Sequence, residues 1–287
     1  MNRKDLYAKN DFSKESLPHN RKEVFFDVSR LHYFSFLKIG VILFLFALPL
    51  LTASFFLDYS FIIAHENDSS NALIIIICSF TEIIGLLILA VPISGLGKIY
   101  REYVWLEPVF FADDFRKGIK DNYKVTAISF LIIGILNFVF NMIYFFLNNG
   151  WIIAIPFGFN VAVLYPILMH TIFLNFTYSN KYGDNFKVAC FLYLKHLPTT
   201  LLCSILIIAI KAYDLFQLAN IIAILTKYLV ILIYFVFLLP IIIIGVQLNE
   251  MRIFDKEINA SRFPELINRG IVIVPSENEE VEKREDE

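Results

Sequence analysis

The chain has 287 residues, 57% of them hydrophobic and only 18% charged, with 30 phenylalanines and a mean hydropathy of +0.64. Soluble chains average about 25% charged residues, so the composition excludes a soluble globular domain and points to an all-α, polytopic membrane helix bundle. The formal net charge of -2 is uninformative by itself, since in a membrane chain the distribution of charge along the sequence carries the signal; membrane lipids, and no nucleic acid, are the expected partners.

Residues 1–36 form a polar N-terminal segment. The first 38 residues carry eight Lys or Arg and five acidic residues, without the apolar stretch and small-residue cleavage site of a secretory leader. The first apolar run is therefore expected to remain as an anchor. A helix needs about 20 apolar residues to cross the hydrocarbon core, so stretches without Asp, Glu, Lys or Arg locate the spans. Residues 39–57 form the first, and 69–97 the second, interrupted only by Glu82. Residues 125–180 hold no such charge and supply the third and fourth, with a turn at "NNGW", 148–151. A shorter fifth span covers about 196–211 with an amphipathic lead-in from Asn185, and a sixth covers about 220–247.

The six spans define a transmembrane domain over 37–249 and a C-terminal segment over 250–287. That segment ends at 276–287 with seven acidic and two basic residues, a composition that favours disorder. Pro49, Pro92, Pro156, Pro166, Pro198 and Pro240 put prolines into five of the six spans, which predicts kinked helices whose freed carbonyls find partners within the bundle. Cys78, Cys190 and Cys203 lack metal-ligand or CxxC spacing and read as small packing residues.

Basic residues collect on alternate loops. The N-terminal segment holds eight, residues 98–124 six, residues 181–195 three and the C-terminal segment six, whereas the loops near 58–71 and 148–151 hold none. The positive-inside rule then predicts that both termini are cytoplasmic, and the expected location is the plasma membrane. Lys211 and Lys227 fall on the opposite face, near span ends, where an amine can snorkel to the interface.

A short phrase occurs twice, as "DNYKV" at 121–125 and "DNFKV" at 184–188. Each leads into a span of the same orientation. Spans two plus three and four plus five therefore read as a parallel repeat about the membrane normal, with Asn122 and Asn185 at equivalent helix starts.

The segment "GKIYREYVWLEPVFFADDFRKGIKDNYK", 97–124, resembles the region after the second span in the YesL family of bacterial integral membrane proteins. "NFKVACFLYLKHLPTTLL", 185–202, is similar to that family's second characteristic stretch. With the six-span layout, the resemblance covers about 40–250 and leaves both polar ends aside. It implies no catalytic residue. Because members are often encoded near importers for sugars and oligosaccharides, it implies an accessory or regulatory role in carbohydrate uptake, with subunits of a sugar ABC importer as partners.

Candidate sites follow from intramembrane polar residues. An ionised carboxylate mid-span costs roughly 2.5 kcal/mol or more, so Glu82 needs a partner or a proton. Cys78, Ser79, Glu82 and Gly85 share one helix face. Asn137 and Asn141 share another with Gly134, and Asn160 lies on the fourth span. Depth counting places Glu82, Asn137 and Asn160 at similar levels, with Lys227 as candidate counter-charge. This polar cluster serves either as interhelical glue or as a coupling site in a small transporter or channel. His170 reads as a hydrogen-bonded packing residue, and "SGLGK", 94–98, as a span end, since it lacks phosphate-loop spacing. Phe115, Ile119 and Tyr123 recur every four residues among Arg116, Lys117, Lys120 and Lys124, the pattern of a basic helix lying in the headgroup layer and contacting lipid or a partner. No cofactor, metal site or nucleophile constellation can be assembled, so the reading is non-enzymatic.

Overall fold

The computed structural model describes residues 18–66, 72–147, 155, 157–178, 180–208 and 221–271, and among them there is no strand. The chain is an all-α bundle. In order it comprises α1 (Arg21–Leu31), α2 (Tyr33–Glu66), α3 (Ala72–Val104), α4 (Phe111–Leu147), α5 (Tyr165–Thr177), α6 (Tyr182–Lys195), α7 (Leu197–Ile208), α8 (Ile221–Ile233) and α9 (Leu239–Phe254). Five continuous helices are long and apolar enough to cross a membrane: Tyr33–Ser60, Ala72–Val104, Phe111–Phe146, Phe157–Thr177 and Ile221–Arg262. A bent pair, α6 and α7, which meet at 110°, makes a sixth crossing only if the two count as one broken span. The 12 described residues of α7 would rise only about 18 Å, short of the roughly 30 Å core.

Helices run past the apolar windows because backbone hydrogen bonding continues where side-chain hydropathy stops. α4 is the clearest case. The basic stretch 114–124 is not a separate helix lying in the headgroups; it forms the first turns of one 37-residue helix that continues as the third span. Gly118 permits this, since a Cβ there would lie 2.5 Å from the Gly95 carbonyl oxygen of α3. That close approach packs Phe115 over Gly95 and stacks it on Phe111. Phe115 therefore faces the core, while Arg116, Lys117, Lys120, Tyr123 and Lys124 are exposed and Ile119 is half-buried.

The prolines act in two ways. Pro49 and Pro92 lie within unbroken helices. Pro166 and Pro240 instead follow π-helical turns at Asn160–Leu164 and Tyr234–Leu238. A π turn widens the helix by one residue, which relieves the clash between a proline ring and the carbonyl four residues earlier.

The end carrying the basic loops also gathers the described chain ends. Asn20 caps α1, accepting from the Lys22 and Glu23 amides, and Glu23 reciprocates by accepting from the His19 amide. Val24 and Val28, one turn apart, then bury α1 against the bundle. Arg21 donates to Asp255 at 2.8 Å and to the Arg269 carbonyl at 2.7 Å, while Arg269 pairs with Glu107 and covers the Trp105 ring. Gly270, at φ +83°, lies where a Cβ would meet the Val104 carbonyl oxygen at 2.4 Å. The first and last described segments thus clasp the loop between α3 and α4. The 148–151 turn, Pro156, Lys211 and the acidic tail lie outside the described residues.

The two echoed phrases sit differently. Asn122 lies eleven residues into α4, whereas Asn185 is in the first turn of α6, which breaks after Lys195. Asn122 is therefore not at a helix head. Its side chain crosses to α3 by donating to the Ser94 carbonyl at 3.1 Å, and accepts from Asn175 of α5 at 3.0 Å.

Candidate functional site

The polar face of α3 points inward. Ser79, Glu82 and Gly85 are buried, and a Cβ on Gly85 would sit 2.6 Å from Leu50 Cα of α2. This close antiparallel approach brings Ser54, one turn along α2, onto the carboxyl group. Ser54 Oγ donates to Glu82 Oε1 at 2.5 Å, and Asn141 Nδ2 of α4 donates to Oε2 at 3.0 Å. Asn141 Nδ2 also lies 3.2 Å from Ser79 Oγ. Three helices converge on one carboxyl group that is only 4% exposed.

The rest of the expected cluster separates. Asn137 accepts from Tyr165 of α5 at 2.6 Å, because four residues turn an α-helix by about 400° and so leave Asn137 and Asn141 some 40° apart. Asn160 is buried in the π turn before α5 and contributes no hydrogen bond to Glu82 among the described residues. Lys227 is not the Glu82 counter-charge. It lies on α8, beside α2, and its Nζ is 2.8 Å from Asp58 Oδ2, which also accepts from Tyr228 at 3.1 Å. Nor does Lys227 snorkel: it is 3% exposed.

A second polar group joins α5, α7 and α9. His170 is fully buried, with Nδ1 2.6 Å from Glu250 Oε2 and Nε2 2.9 Å from Thr200 Oγ1. Thr200 already donates its hydroxyl proton to the His196 carbonyl, so it accepts from His170, and this assigns the ring proton to Nε2. Nδ1 is then the ring nitrogen that meets the Glu250 carboxyl group. Glu250 Oε1 and both side-chain polar atoms of Gln247, one turn away on α9, have no partner among the described residues.

His170 is thus the hydrogen-bonded packing residue expected, but its partners were not legible. Ile243, Gln247, Glu250 and Phe254 share the buried face of α9. Their spacing of four, three and four was the available signal, obscured by ending the last span at Gln247. "SGLGK" is a packing point: a Cβ on Gly97 would meet the Phe176 ring, and Lys98 pairs with Asp114 at 2.9 Å. Outside the spans, burial against Tyr103 lowers the His32 pKa, and burial raises that of Tyr178, which stays a donor to Asn259 at 2.5 Å.

Between α3, α4, α5, α7 and the π turn before α9 lies a partly open cavity of about 230 Å³. Its wall is almost wholly apolar. Among its polar groups, Tyr165 bonds Asn137, Ser204 bonds the Leu201 carbonyl and Tyr234 bonds the Leu206 and Ile207 carbonyls. Among the described residues no group of three or more His, Cys, Asp or Glu side chains could hold a metal ion. No family model, curated protein or solved structure matches the chain.

Proposed function

We propose that this chain is a non-catalytic membrane partner that assists or regulates a transport system by lateral contact. The observation that supports this reading best is the closure of Glu82, whose carboxyl oxygens are met by Ser54 and Asn141 at 4% exposure. A coupling carboxylate must exchange protons or cations with water. This one is spent on joining α2, α3 and α4, an established use of polar side chains between membrane helices. The dry wall of the central cavity supports the same reading, since it presents few polar groups to a hydrophilic solute.

The resemblance of 97–124 and 185–202 to YesL proteins adds the finer part, a carbohydrate importer as the assisted system in the plasma membrane. The exposed basic face of α4, with Arg116, Lys117, Lys120 and Lys124, is suited to anionic lipid headgroups or an acidic partner surface on the cytoplasmic side. Tagged chain purified from native membranes should carry importer subunits, identified by mass spectrometry, and should lose them on charge reversal at Lys117 and Lys120. Recovery of the chain without any importer subunit would count against the reading. The transporter alternative, using Glu82 and its neighbours, would need a hydrated path to that carboxyl group.

A further inference from the structure

The basic face of α4 lacks acidic partners. Arg116, Lys117, Lys120 and Lys124 are exposed, and none of them makes an ion pair among the described residues, whereas Arg21, Lys98, Lys195 and Arg269 at the same end each hold a carboxylate. Two exposed acids of the stretch, Asp113 and Asp121, still leave it net positive.

Height separates most of this face from the membrane. Residues 125–147 of α4 hold no Asp, Glu, Lys or Arg and rise about 35 Å, enough to fill the roughly 30 Å hydrocarbon core. Because α4 is one continuous helix, its basic stretch stands on top of that span. Upright, it puts Lys124 about 2 Å, Lys120 about 8 Å and Lys117 about 12 Å beyond the core edge. The headgroup layer that brings the bilayer to about 40–45 Å is only about 5–8 Å thick on each side. Lys124 is then within reach of lipid phosphates, while Lys117 and Arg116 rise past them. The upper part of the face suits an acidic partner in the aqueous phase.

The chain supplies such a partner beside it. Gly270 packs against the Val104 carbonyl and Trp105, and Arg269 lies over the Trp105 ring. Arg101, also over that ring, is in electrostatic range of both Arg269 and Asp121, and Asp121 is one turn from Lys117 and Lys124. The chain therefore leaves the clasp at Ile271 next to the basic face. Residues 272–276 can extend about 18 Å at most, and 277–282 follow with four glutamates in six positions. So short a tether sets an effective concentration of order mM.

We propose that residues 277–287 of this chain dock by charge on the upper basic face of α4, around Arg116, Lys117 and Lys120, as an internal cover. The docking stands on charge, height and reach. Its consequence, that an acidic partner surface must displace the cover, rests on the lateral-contact reading of function.

The test follows amine acetylation by an N-hydroxysuccinimide ester, read residue by residue by mass spectrometry, on the full chain in nanodiscs of equal parts phosphatidylcholine and phosphatidylglycerol. Lys117 and Lys120 are expected to react three- to ten-fold more slowly than in a chain stopped after Ser276. The same release is expected from an unshortened variant that combines Glu277→Gln, Glu279→Gln, Glu280→Gln and Glu282→Gln. Lys22 and Lys187, exposed elsewhere on the bundle, should be unaffected. Salt at about 1 M, which cuts the Debye length to about 3 Å, should remove the difference. Equal rates with and without the acidic residues overturn the proposal, as does protection spread over Lys22 and Lys187. Slow acetylation of Lys117 and Lys120 in all chains alike, relieved only in nanodiscs of phosphatidylcholine alone, makes lipid headgroups the occupant and also overturns it. No importer takes part in these rates, so a failure here is distinct from a failure of the co-purification test.

Discussion

Asn141 of α4 donates to Glu82 of α3 at 3.0 Å, across a hairpin and in reach of Ser54 on a third helix. The carboxyl group therefore sits where one polar side chain can register three spans. Glu82→Gln keeps an acceptor for one of these donors, and its thermal midpoint in detergent should stay close to wild type. Glu82→Leu strands both Ser54 and Asn141 and should cost about 0.6–1.7 kcal/mol per lost bond. Equal midpoints for the Leu and Gln variants would remove the registering role.

The Lys227–Asp58 pair should be asymmetric under mutation. Lys227 is 4% exposed at its side chain and Asp58 20%, so Asp58→Ala removes the counter-charge of the more deeply buried group. A loss of about 3 kcal/mol is expected, in the range for breaking a buried pair. Lys227→Met leaves a partly hydrated carboxylate that still accepts from Tyr228 and should cost less. A double-mutant cycle read by unfolding midpoint checks both the coupling and its asymmetry; additivity of the two changes would contradict the pairing.

His170 Nδ1 and Glu250 Oε2 lie 2.6 Å apart in a fully buried setting, so removing one side chain strands the other. His170→Phe leaves the Glu250 carboxyl group without its imidazole and should destabilise by about 3–5 kcal/mol. Glu250→Gln can donate to a neutral Nδ1 and should be mild. The double variant His170→Phe with Glu250→Leu should regain much of the loss, because two apolar side chains leave no stranded group. A double variant no more stable than His170→Phe would contradict this.

How much of this was legible in the sequence depends on which coordinate a residue pattern reports. Apolar windows report depth, so the helical bundle and the intramembrane position of Glu82 could be read from them. They do not report which neighbour lies on which side. Asn137 and Lys227 were placed near Glu82 by depth alone, whereas azimuth turns Asn137 toward Tyr165 and helix order puts Lys227 beside Asp58. Ser54 carried no signal, since a serine in a span is ordinary. Glu250 was hidden because hydropathy ends at Gln247 while the helix and its buried face continue to Phe254.

The basic asymmetry predicts which side the clasped end faces. Single cysteines at Ser69 and Lys117, in a cysteine-free background, should label differently with an impermeant reagent on intact cells. Ser69 should react and Lys117 should not. The reverse pattern would invert the topology and move the exposed face of α4 away from any cytoplasmic partner.

Flux through the chain alone tests the closed, laterally acting bundle most directly. Purified wild-type protein, reconstituted in vesicles without any other transport subunit, would be assayed for uptake of labelled oligosaccharides with and without a proton gradient. The account predicts uptake no faster than into protein-free vesicles. Saturable uptake that disappears in Glu82→Gln, at an unchanged thermal midpoint, would contradict it and make Glu82 a coupling residue.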